Sequence, residues 1–116
     1  MLNLKKALAK LANEHNTVPI TITPATNVTI SVNNSVAIGN KWVCLWVKGR
    51  VTNAIVNETI FTIPSEYSAK SSTFPIFKAT EWNINSVAYG YVGNNAIVAR
   101  LDAGEWFHIN VLLPRR

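Results

Sequence analysis

The chain has 116 residues, room for one domain and little more. With 48% hydrophobic and 15% charged residues it is too apolar for intrinsic disorder, and its single cysteine, Cys44, excludes an internal disulfide and any multi-cysteine zinc site. The net charge of +5 sits mostly on Lys5, Lys6, Lys10, Arg115 and Arg116, leaving residues 15–114 with six basic against five acidic side chains and no phosphate-tracking stripe.

Residues 2–15 carry a helical pattern. Leu4, Leu8 and Leu11 recur at steps of four and three, and with Met1 and His15 they fall on alternating a and d positions of a heptad. The segment lacks the long apolar stretch of a secretion signal, so it reads as structure. Two heptads are close to the shortest helix that is even marginal in water. The leucine seam of the helix over residues 1–16 therefore needs a partner, either the chain's own core or copies of itself in a coiled coil. His15 reads as a helix-end residue.

Beyond Asn16 the texture changes. Val, Ile and Thr supply 33 residues, concentrated after position 16, and β-branched side chains favour a pleated surface. Short runs follow one another: VPITI, NVTISV, SVAIG, KWVCLWVKGRV, AIVNETIFTI, FPIFKA, SVAYGYV, AIVARL and EWFHINVLL. Pro24, Asn33–Asn34, Gly39–Asn40, Asn53, Pro64, Gly93–Asn94–Asn95 and Ala103–Gly104 punctuate them. Seven to nine short strands without a second helix predict a small antiparallel β-sandwich, jelly roll or barrel over residues 17–116. The polar stretch SEYSAKSST, residues 65–73, reads as a surface loop.

Two strands have a legible register. If Asp102-Ala103-Gly104 is a three-residue hairpin turn with Gly104 left-handed, Ala99 opposes Phe107 and Ile97 opposes Ile109. On the other face Arg100 then opposes Trp106 and Val98 opposes His108. Phe107, Ile109, Val111 and Leu113 point inward by alternation, with Trp106, His108 and Asn110 outward. In the strand from Trp42, the residues Val43, Leu45, Val47 and Val51 share one side, and Trp42, Cys44, Trp46, Lys48 and Arg50 the other. Two tryptophans are therefore either covered by a neighbour or bare, and so many large aromatics on a small domain point to association.

Enzymatic constellations are missing. The chain holds no phosphate-binding loop, G-x-S-x-G elbow or H-E-x-x-H helix, and no catalytic, metal or cofactor site is expected. Cys44 reads as an inert thiol among apolar neighbours. Asp102, Glu105 and His108 do not form an acid–base triad, because Glu105 and His108 point to opposite sides of an extended strand. Asp102 is more simply a turn-opening residue. What remains is a mixture of aromatic and polar groups suited to saccharide: Trp82, Arg100, Asp102, Trp106 and His108, with Tyr89 and Tyr91 as further members. A ring packs on the C–H face of a sugar while planar polar groups bond its hydroxyls. Each of these also has a plainer reading, as core aromatic, sheet histidine or an Arg100–Trp106 cation–π pair.

The stretch ETIFTIPSEYSAKSSTFPIFKA, followed by VAYGYVGNNAIVARLDAGEWFHINV, resembles the terminal head domain of phage tail and baseplate receptor-binding proteins, including those of lactococcal-type siphophages. The resembling elements are Ile63-Pro64, Tyr67, Pro75, Gly93-Asn94, Ile97-Val98 and Gly104-Glu105-Trp106, within residues 41–113. The resemblance implies a trimeric β-barrel or jelly roll that binds host cell-wall saccharide at sites built from Trp, His, Asp and Arg near subunit boundaries. It also implies a virion location, at the tail tip, baseplate or head surface, with the N-terminal helix contacting other virion proteins. The five site residues come from face geometry and are not carried over from that family. The chain lacks the shoulder and neck of a whole receptor-binding protein, which leaves open a fragment, a stand-alone head or another virion component. The alternative functions are a structural virion protein without sugar binding and, against the charge distribution, a nucleic-acid-binding barrel.

Overall fold

The computed structural model describes residues 2–79 and 84–116. One helix, α1 (Leu2–His15), precedes ten strands: β1 (Thr17–Pro19), β2 (Thr23–Pro24), β3 (Val28–Asn33), β4 (Val36–Ile38), β5 (Trp42–Val51), β6 (Ile55–Thr62), β7 (Ala69–Ala79), β8 (Ile84–Asn94), β9 (Ala96–Leu101) and β10 (Trp106–Pro114). All pairings are antiparallel, in the order β1-β4-β5-β10-β7-β8-β9-β6-β2, with β3 also on β5. The sheet curls into a half-barrel, as a mainly β chain with one short leading helix was expected to do. Each of the nine runs read from the sequence overlaps one strand, although β1 covers only Val18–Pro19 of the first and β7 begins five residues before FPIFKA; the two-residue β2 is additional.

Alternation builds the barrel. Along β5 burial strictly alternates: Val43, Leu45, Val47 and Val51 are buried, while Trp42, Trp46 and Arg50 are exposed. Phe61, Phe107, Ile76, Ile97 and Ile109 complete the same interior from β6, β10, β7 and β9. Gly49 occupies the one inward position of β5 without a side chain. A Cβ there would lie 2.6 Å from Phe107 Cζ and 2.7 Å from the Thr29 carbonyl oxygen, so the ring of Phe107 fills its place.

β3 and β4 act as one long strand bent at Asn33–Ser35, both halves pairing with β5. Asn33 Oδ1 accepts from the Ser35 N–H at 3.0 Å, and its Nδ2 donates to the Ile20 carbonyl at 2.8 Å. Ser35 Oγ, buried, accepts from the Trp46 N–H at 3.0 Å. The polar pair thus satisfies backbone groups that the bend would otherwise strand.

Two expectations are corrected. Residues 65–73 are not one loop: Ser65–Tyr67 is a single 3-10 turn, and β7 begins at the fully buried Ala69. The polar residues 70–73 conceal the strand because their side chains lie mostly toward solvent and a register shift separates Ala69 from Ser72. The hairpin at 102–104 is also wrong. Gly104 is left-handed, φ +80°, but β9 pairs with β8 and β6, and β10 pairs with β5 and β7. The connection carries the chain from one part of the barrel to another. Its Gly104 N–H donates to Val51 O at 2.7 Å instead of closing a hairpin.

α1 stands away from the barrel. Leu4 and Leu8 are 60% and 57% exposed, and the molecule is 59 Å long by 26 and 20 Å across. Its radius of gyration of 16.0 Å exceeds the ~13 Å of a compact domain this size. The side chains of Leu11 and His15, and Met1, lie outside the described residues.

Arg115 is a structural clamp. Its guanidinium donates to Gly39 O at 2.8 Å and Glu66 O at 3.0 Å, and it lies 5.2 Å from the Tyr67 ring centroid. One of the terminal charges is thereby used inside the fold.

Candidate functional site

The β5–β10 ladder sets out the convex face of the barrel in rows. Trp106 lies opposite Arg50, His108 opposite Lys48, Asn110 opposite Trp46, and Leu112 opposite Cys44. On the other side of β10, His108 lies opposite Phe77, and Phe77 opposite Val87 on β8. Pairing between β10 and β7 covers only Trp106–His108 before the strands part, apart from a bridge between Ala69 and Arg115. Pro75, which has no N–H to donate, lies two residues from Phe77 on β7.

At this parting lies a cleft of about 220 Å³ lined by Trp46, Lys48, Phe77, His108 and Asn110, with the Val47–Ile109 strand pair beneath. Trp46 keeps 40% of its surface exposed and Asn110 is exposed. His108 Nε2 is shielded from solvent and makes no hydrogen bond within the described structure. Burial, and then the nearby Lys48 ammonium, push the His108 pKa down, so the ring is neutral at pH 7. A neutral imidazole keeps one nitrogen as acceptor and the other as donor. The cleft can therefore stack a ring against Trp46 or Phe77 while His108, Asn110 and Lys48 exchange hydrogen bonds with hydroxyls.

Of the five site residues expected from the sequence, the structure brings together two. Trp106 and His108 share the convex face of β10. Arg100 lies on β9, three strand positions from β10, and does not face Trp106; β5 supplies the cations instead, with Lys48 Nζ 5.3 Å and Arg50 Cζ 5.7 Å from the Trp106 ring centroid. Asp102 is exposed in the β9–β10 connection, where the side chain that organises the turn is that of Glu105. Glu105 Oε1 accepts from the Asp102 N–H at 2.6 Å and its Oε2 lies 3.4 Å from Lys78 Nζ. Trp82 lies outside the described residues. Trp46, Lys48, Phe77 and Asn110 were not assigned to the site from sequence. The outward stripe of the Trp42 strand held two of them, but no local signal joins that strand to the chain's last one.

Cys44 is half-buried on the convex face, not sealed in the interior. Among the described residues no group of three or more His, Cys, Asp or Glu side chains is gathered as a metal would need, and no helix is long and apolar enough to cross a membrane. Comparisons with protein-family models, with curated proteins and with solved structures each returned no match.

Proposed function

We propose that this chain is a phage virion adhesion module, a homotrimer that binds a host cell-surface saccharide through the convex face of its half-barrel. The observation that carries the reading is the cleft between Trp46 and Phe77, where aromatic surface adjoins a histidine nitrogen that the fold leaves without a partner. Supporting it, six large apolar side chains stand exposed on that one face: Trp42, Trp46, Val87, Tyr89, Tyr91 and Leu112. Trimerisation through α1 is supported by Leu4 and Leu8, which the barrel does not cover. Sites repeated around a three-fold axis turn weak single contacts into strong attachment.

Light scattering and an array of bacterial surface glycans test the proposal together. A trimer at micromolar concentration and glycan-dependent retention on the array are expected; a monomer that retains no glycan contradicts it. The uncovered leucines of α1 also favour a second reading, a structural virion component that inserts this helix into a larger assembly and binds no sugar. Deleting residues 1–15 separates the two. The adhesion module keeps residual glycan affinity while its oligomer weakens, whereas the structural component loses only its incorporation into particles.

A further inference from the structure

We infer that the saccharide site extends beyond the cleft to Tyr89, so that the ligand is a linear oligosaccharide and Tyr89 is the platform for a ring distal to the one held by His108. This rests on the saccharide reading above. The cleft of about 220 Å³ is small, yet the apolar surface beside it continues in one direction. Pro75 lies opposite Tyr89 in the β7–β8 ladder, and the convex sides of β5, β10, β7 and β8 are neighbours in the sheet, opened only by the cleft where β10 and β7 part beyond His108. Trp46 on β5 and Tyr89 on β8 are three strand positions apart, at least about 14 Å because β10 and β7 part between them, which is more than one pyranose spans and suits a run of three or more rings.

Tyr89 is suited to this role for a reason written into the core beneath it. The next residue, Gly90, faces inward, and a Cβ there would sit 2.5 Å from Ile76 Cδ1 and 3.0 Å from Phe74 Cε2. The backbone is thus seated directly on buried side chains. Tyr89 projects the opposite way and is 72% exposed, the highest value among the large apolar residues whose side chains are described. A phenol ring on a fixed strand binds with little loss of conformational freedom, and its hydroxyl adds a hydrogen bond at the rim. Its exposure also means that replacing it removes almost nothing from the core.

Calorimetric titration of the full chain with size ladders of glucose, galactose, N-acetylglucosamine and rhamnose, from monosaccharide to hexasaccharide, tests the inference. Wild-type affinity should rise with length by about tenfold up to the trimer or tetramer and then level off. Tyr89→Ala should lose that rise while binding the monosaccharide as wild type does, and Tyr89→Phe should keep most of it. A thermal melt of each variant controls for altered folding. Affinity independent of length, or Tyr89→Ala equal to wild type on the long oligomers, overturns the extended site and leaves the cleft standing. No binding of any ladder at any length overturns the saccharide reading and this inference with it.

Discussion

The two faces of β5 answer to different constraints. Inward, Val43, Leu45 and Val47 are closed over, and the gap at Gly49 is filled by Phe107. Outward, Trp42 and Trp46 remain 41% and 40% exposed within a few ångströms of that core. The inner face is explained entirely by folding. The outer face is not, since removing large apolar surface from water is favourable and this chain leaves it in contact with water. On the proposed reading, stability and recognition fall to opposite faces of the same strand.

The comparison can be broken most forcefully from within. Phe107→Ala empties the centre of the barrel beneath Gly49 and should cost about 3–5 kcal/mol in chemical denaturation. Gly49→Ala inserts a methyl group where backbone and ring already stand and should cost about 1–3 kcal/mol. Combined with Phe107→Leu, which vacates part of that space, its added cost should shrink, a coupling that a double-mutant cycle measures. Arg115→Ala removes two hydrogen bonds that tie the chain's end to Gly39 and Glu66, for about 1–2 kcal/mol.

A smaller effect sharpens the contrast from outside. The His108 pKa lies below its ordinary 6.5 in the folded chain, so the unfolded chain binds more protons in the window just beneath that value. Stability contributed by the neutral ring is therefore present above pH 6.5 and lost as the pH falls toward the folded value. Melting temperatures across this window should drop for the wild type, and the drop should be reduced in His108→Asn.

Much of the barrel was legible because alternation is a local signal. The inward sets Val43–Leu45–Val47 and Phe107–Ile109–Leu113 follow from period two alone. The left-handed turn was legible at Gly104 for the same reason. What alternation cannot supply is which strand lies beside which. The reading of 102–104 as a hairpin paired Arg100 with Trp106, while the actual neighbours of β10 are β7 and β5, the latter more than fifty residues earlier in the chain. The cleft depends on that long-range pairing, so of the residues singled out in the sequence only His108 lines it, with Trp106 on the same face beside it, while Lys48, Trp46 and Phe77 were assigned no part. Polar β7 residues such as Lys70 and Ser71 hid a strand because their outward side chains mimic a loop.

Chemical-shift mapping tests the assignment of recognition to the convex face most directly. Isotope-labelled full-length chain would be titrated with fragments of bacterial cell-wall polysaccharide while the Trp46 indole, the Asn110 side-chain amide and the His108 ring are followed. The expected result is saturable movement of those three signals, with the amides of Leu45, Val47 and Phe107 changing little. Signals that stay still at saturating polysaccharide, or movement confined to α1, would contradict it.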